Sequence, residues 1–485
     1  ITKEGLLHDL ENIARDCHPT ALMSPTGLER AEPTDRFTMS RAFIDGGYLK
    51  PEFNGIRGPL TSKLVKSPIF GYADNFRAPA RLSGRVFDGE RNVDILLYNI
   101  RKGGSDFKHL PQRAVNRAVA SVFETIQWDH RVLTTDEAIK GIPGEYGYDP
   151  IDRKTSMGYP WCTEYPNTKK TTLLGSGEDW TIDERVYEEV AAWEQMCLED
   201  DIPPAIFSDT LKDELRSFKK VEDCNTRVFA GGSMAFTIAF RKYFLCVCAG
   251  IQSHRIDNGI AVGINTEDPV EWNKLRHHLT RFGDYVIAGD YKNFDTTLPP
   301  QFVSEIFETI VRRSPVDERT KKIMRGLYMC ITNSTHLYYE FLYLSHKGNP
   351  SGCPITSILN SLVNLAVVRF CFSRAWMSRS FDEDAAIITY GDDNIIAMKH
   401  SMYGTKEFDE FLQVFKELGM EYTSADKTGP PRAEHIDDAE FLKRKFRMDG
   451  GICFCPMGLD HLLDRANWAH TNIGALYNTA ERVEA

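Results

Sequence analysis

The stretch Ala385-Ala386-Ile387-Ile388-Thr389-Tyr390-Gly391-Asp392-Asp393-Asn394-Ile395-Ile396-Ala397-Met398 constrains the fold more than any other. Two short apolar runs flank one glycine and two adjacent acids, the pattern of a hairpin of buried strands with Gly391 easing the turn. Adjacent carboxylates at such a tip repel each other and add nothing to strand pairing. A divalent cation relieves that repulsion, because hard ions prefer carboxylate oxygens. A solvated turn accounts for the same letters, since Gly-Asp-Asp turns well.

A second segment narrows the choice. Tyr285-Val286-Ile287-Ala288-Gly289 reads as a strand with Asp290 at its end, and Asp295 closes the run DYKNFD. Acids from two separate segments are what a two-metal phosphoryl-transfer site uses; a helix N-cap is the alternative for Asp290. The third segment, Ser351-Gly352-Cys353-Pro354-Ile355-Thr356, predicts an irregular loop and a helix from about Thr356. Along that helix Thr356, Asn360 and Asn364 share one face beside Ile358, Leu359, Leu362 and Val363. A buried polar stripe needs partners, either a hydroxyl-rich substrate or its own neighbours.

Charge bounds the partners. The 485 residues carry 58 Lys and Arg against 69 Asp and Glu, a net charge of −11. That excludes a basic coat over the whole surface but permits a local basic channel, and Lys and Arg do cluster within 208–231. The eleven cysteines are scattered and form neither a CxxC site nor a disulfide framework, which suits a reducing compartment. No apolar run free of polar residues is long enough for a transmembrane helix, and ITKEGLLHDLENIARD is no signal peptide. A start at Ile1 suggests release from a precursor or trimming. Residues 440–456 predict a hairpin turning at Asp449-Gly450-Gly451, with Lys443, Lys445 and Arg447 on one side and Leu442, Arg444 and Phe446 on the other. Such a basic ribbon grips a phosphate backbone or protects a sheet edge.

DYKNFD, SGCPITSILN and YGDDN, in that order, resemble motifs A, B and C of the RNA-dependent RNA polymerases of picorna-like positive-strand RNA viruses. Thr155-Ser156-Met157-Gly158-Tyr159-Pro160 resembles motif G, and Lys212-Asp213-Glu214-Leu215-Arg216 through Lys220 to Arg227 resembles motif F. Ser424-Ala425-Asp426-Lys427 resembles motif D, and Phe441-Leu442-Lys443-Arg444 motif E; the flavour is that of insect-infecting dicistroviruses. The resemblance implies an α+β right-hand fold with an antiparallel palm sheet. Its divisions would be fingers over 1–245 and 326–348, palm over 246–325 and 349–449, and a short or truncated thumb from 450–485.

The roles it implies follow residue by residue. Asp290, Asp392 and Asp393, with the Tyr291 carbonyl, would hold two Mg²⁺ ions, for which Mn²⁺ can substitute, and Lys427 would protonate the leaving pyrophosphate. Arg216, Lys220 and Arg227 would neutralise the triphosphate. Asp295, Ser351, Thr356 and Asn360 would read the ribose 2′-hydroxyl. Thr155, Ser156, Gly158, Lys212, Lys443 and Arg444 would contact RNA. The implied partners are an RNA template and primer, ribonucleoside triphosphates, a genome-linked protein primer and other viral replication proteins. The setting would be membrane-associated complexes in the host cytoplasm. A reverse transcriptase is one alternative, although no bulky aromatic stands at Asp295 to exclude a 2′-hydroxyl. A non-catalytic RNA-binding scaffold is the other.

Overall fold

A computed structural model describes residues 43–48 and 58–470, apart from 73, 90, 105–106 and 426–428. Two five-stranded sheets organise it. The first gathers strands far apart in sequence: β1 (Phe43–Tyr48), β2 (Ile206–Leu211), β3 (Val228–Gly231) and two later ones. After β3 comes helix α1 (Met234–Ser253), capped by the Ser233 hydroxyl, which accepts from the Phe236 N–H. The second sheet begins with β4 (Tyr285–Tyr291), and β5 (Ser334–Tyr338) and β6 (Phe341–Ser345) then complete the first. Its order is β1-β6-β5-β2-β3, antiparallel except for the parallel β5–β2 pair.

Pro354 ends the loop before helix α2 (Thr356–Ala375), and the expected hairpin follows as β7 (Ala385–Tyr390) and β8 (Asp393–Met398). Tyr390 pairs Asp393 across a two-residue turn, with Gly391 at φ 64°, a conformation that carries a Cβ penalty in other residues. Amphipathic α3 (Lys406–Glu417) leads to β9 (Tyr422–Ser424), giving the order β7-β8-β4-β9, and Glu434–His435 also pairs β4. Strand β4 runs two residues beyond the expected Gly289, because Tyr422 and Thr423 pair with Tyr291 and Asp290.

Successive strand residues face opposite ways, and both faces of this sheet are covered. Ile287, Ile387 and Ile396 pack with α2 and the α3 residues Phe408, Phe411 and Phe415. Val286, Ile388 and Ile395 pack with Trp272, Leu275 and Leu279 of the helix Pro269–Leu279. Double coverage explains why AAIIT and IIAM are continuous apolar runs rather than alternating ones. At ~1.5–3 kcal/mol for each fully buried aliphatic side chain, these layers hold the hairpin rigidly.

Two expectations are corrected. Met234–Ser253 and Thr356–Ala375 are in fact long and apolar enough to cross a membrane by length and composition. Most of each lies inside the fold (78% and 83% of the apolar window), so both serve as core helices. The 440–456 segment forms two small hairpins instead of one. Glu440–Phe441 pairs Arg444–Lys445, and Arg447–Asp449 pairs Ile452–Phe454 around Gly450-Gly451. Leu442 and Lys443 form the first turn at φ 54° and 61°, backbone that side chains other than glycine resist.

Candidate active site

A cavity of about 1320 Å³ opens between the two sheets. Its wall includes Asp290 and Tyr291 of β4, Asp392 and Asp393 of the turn, and Asp295. Because Asn394 pairs Gly289 in antiparallel register, the next position sets Asp393 opposite Asp290. Burial first, then the Asp392 and Asp290 charges, push the Asp393 carboxyl up to about 7. Among the described residues no three His, Cys, Asp or Glu side chains close tightly enough to enclose an ion by themselves. The donor set still suits a hard cation: three oxygen donors share one wall, they repel one another, and a cation would draw them together.

Helix α2 holds the acidic turn from behind. Asn364 donates to the Gly391 and Asp392 carbonyls at 3.0 and 3.1 Å, and the Ser361 hydroxyl accepts from the Gly391 N–H at 2.7 Å. Asn364 also accepts from the Tyr291 hydroxyl at 3.1 Å, tying both acidic segments to one side chain. Ser361 carries no local signal of this role, whereas Asn364 was visible in the polar stripe. Its partner is internal.

The rest of that stripe divides. Thr356 donates to the Cys353 carbonyl at 2.8 Å, closing its own loop, and is not part of the cavity wall. Asn360 is buried, donates to the Asp295 carboxylate and accepts from Asn349 at 3.0 Å. Asp295, Asn349 and Ser351 line the cavity, with Asn360 joined to the first two from outside the wall. The Ser351 hydroxyl accepts from the Ala230 N–H of β3 at 3.1 Å. Burial raises the Asp295 carboxyl from its ordinary value, against the Asn360 hydrogen bond.

The cavity also has a basic lining. Arg216, Lys220 and Arg227 form it, with Glu214 among them. Glu214 receives both prongs of the Arg227 fork and lies 3.4 Å from Arg216. Burial alone would raise the Glu214 carboxyl; the Arg227 bond and its charged neighbours hold it below its ordinary value. Lys212 stands outside the wall with its ammonium 3.8 Å from Glu214. The positive-φ turn brings Lys443 into the cavity, where its charge opposes the rise at Asp393. Arg444 is turned away, bonded to Glu267 and the Cys455 carbonyl in a separate pocket.

Thr155, Ser156 and Gly158 form a loop apart from the cavity wall. The Thr155 hydroxyl donates to the Asp152 carbonyl and accepts from buried Lys170, while Ser156 accepts from the Gly158 N–H. Lys427 lies outside the described residues.

Comparison with known proteins meets this geometry. Residues 83–482 match the family model described as viral RNA-dependent RNA polymerase. The chain is 31% identical over 441 residues to the replicase polyprotein of acute bee paralysis virus, covering 86% of this chain and 23% of that one. It is 32% identical over 450 residues to the replicase polyprotein of Drosophila C virus, covering 85% and 26%. The chain thus spans about a quarter of the length of these relatives. Its fold is similar to the Sicinivirus 3Dpol RNA-dependent RNA polymerase, with a TM-score of 0.75 and 25% identity across 90% of this chain and 92% of that one. The sequence match and the structural match meet in one family, and the chain belongs to it: the viral RNA-dependent RNA polymerases.

Proposed function

We propose that this chain copies an RNA template into RNA in the replication of a positive-strand RNA virus, by two-metal phosphoryl transfer. The observation that carries the reading is the meeting of Asp290 with the Asp392-Asp393 turn in one cavity that Arg216, Lys220 and Arg227 also line. The primer 3′-hydroxyl attacks the α-phosphorus of an incoming ribonucleoside triphosphate, and pyrophosphate leaves. Asp290, Asp392 and Asp393, with the Tyr291 carbonyl, would hold two Mg²⁺ ions. Bound, these supply Lewis-acid neutralisation of the phosphate charge.

The chain's own groups do the rest. Arg227 gives up Glu214 for the triphosphate, whose oxygens match the guanidinium fork. Asp295 and Asn360 read the ribose 2′-hydroxyl from the side held by Ser351. Lys443 meets the primer backbone, and Lys427 delivers the proton to pyrophosphate. In this reading fingers span 1–245 and 326–348, palm spans 246–325 and 349–449, and the thumb starts at 450. A genome-linked protein primer, other replication proteins and a cytoplasmic, membrane-associated setting belong to the same proposal.

Primer extension with Mg²⁺ on a homopolymeric RNA template tests it. Asp392→Asn should cut turnover at least ~100-fold with RNA affinity retained, since charge stabilisation at the transition state is lost. Turnover equal to that of the unaltered chain would defeat the mechanism.

A further inference from the structure

We propose that Asn349 is a positioning residue for sugar selection, anchoring the oxygen of the Asn360 amide so that its NH₂ is held firmly on Asp295. The proposal rests on the ribose role given above to Asp295 and Asn360. Gly348 and Asn349 press against the Asp295 backbone. Gly348 lies at φ 83°, and a Cβ there would meet the Asp295 carbonyl at 2.6 Å. The Asn349 N–H donates to that same carbonyl at 2.8 Å. Its side-chain Nδ2 donates to Asn360 Oδ1 at 3.0 Å, and Asn360 Nδ2 donates to the Asp295 carboxylate.

The orientation of this chain is dictated by donor and acceptor inventory. A carboxylate only accepts, so Asn360 turns its NH₂ to Asp295 and its oxygen to Asn349. Asn349 must answer with its own NH₂. That leaves Asn349 Oδ1 buried, and among the described residues no donor reaches it. An orphaned buried acceptor costs stability, which an apolar side chain of the same size would avoid. The amide at 349 is therefore explained by its donor. Asn349 is 6% exposed and belongs to the cavity wall, whereas Asn360 does not. Without the Asn349 donor the Asn360 amide still turns its NH₂ to Asp295, but nothing then fixes its oxygen, so its tilt against the carboxylate is free to vary.

The test is single-nucleotide incorporation by the full chain, read as the ratio of kcat/KM for ribonucleotide to that for deoxyribonucleotide. Asn349→Leu should lower the ratio about three- to tenfold, the effect of one loosened hydrogen bond. In an Asn360→Ala background the same change should do nothing further, because the amide it positions is gone. Asn349→Leu takes away one orphaned acceptor, Asn349 Oδ1, but leaves Asn360 Oδ1 without its donor, so its Tm should lie close to that of the unaltered chain. Asn349→Asp, equal in size but unable to donate, should lower the ratio as Leu does; it serves if the Leu variant does not fold. An unchanged ratio in both variants, or an equal drop in the Asn360→Ala background, overturns the positioning role while leaving Asn360 in place. If Asn360→Ala itself leaves the ratio unchanged, the ribose role falls and this inference falls with it.

Discussion

Lys170 illustrates how burial governs a single charge. Its side chain is buried, its ammonium donates to Thr155, and desolvation lowers its pKa from 10.5 to about 8. The unfolded chain therefore binds the extra proton between about pH 8 and 10.5, so stability rises with pH across that window. Below pH 8 the folded state bears the full penalty. Lys170→Met should accordingly be more stable at pH 7 by ~1–3 kcal/mol, less whatever the Thr155 bond contributes. The difference should shrink from about pH 8 upward, as urea titrations at several pH values would reveal. A pH-independent difference would mean that Lys170 is not held charged against desolvation. Glu214 is the opposite case, a half-buried carboxyl kept ionised by the arginines around it.

Among the elements, turns separate what is legible from what is not. Gly391 announced its hairpin because glycine between two apolar runs is a strong signal, and the pairing follows it. Leu442-Lys443 announced nothing, since both hold positive φ without glycine or asparagine. That strained turn moves Lys443 into the cavity and sends Arg444 to Glu267; alternation separates those two, but it also separates Leu442 from Lys443, and both line the cavity. Gly158 makes the same point about close approach. It lies at φ 71°, and a Cβ there would meet the Gly232 carbonyl at 2.3 Å. Gly158→Ala should lower stability by ~2–4 kcal/mol, combining left-handed strain with displacement of the junction between β3 and α1. Thermal unfolding tests this, and a loss below about 0.5 kcal/mol, the range of an ordinary surface change, would count against it.

For the whole molecule, net charge is a poor guide to the cavity. Eight Lys or Arg and nine Asp or Glu line it, among them the acids of β4 and the turn and the basic Arg216, Lys220 and Arg227. RNA binding should still weaken linearly in log affinity against log salt, because phosphates meet the basic side locally despite the overall −11. Filter binding from low to moderate salt measures the slope, and a flat line would contradict the basic wall. Chelating divalent ions should weaken nucleotide binding more than RNA binding, since the acidic side then repels the triphosphate uncompensated.

The motif segments, the helix from Thr356, the Gly391 hairpin and the family itself were determined by the sequence alone. Each rests on residues adjacent or regularly spaced along the chain, where turn chemistry and periodicity act. Only the tertiary structure decided that Asn364 clamps the turn, that Glu214 holds Arg227, that Arg444 leaves the cavity and that Asn349 backs Asn360. The physical reason is range. These partners lie 11 to 177 residues apart in the chain, and their hydrogen bonds form only once the two sheets and α2 have packed, so no local pattern records them.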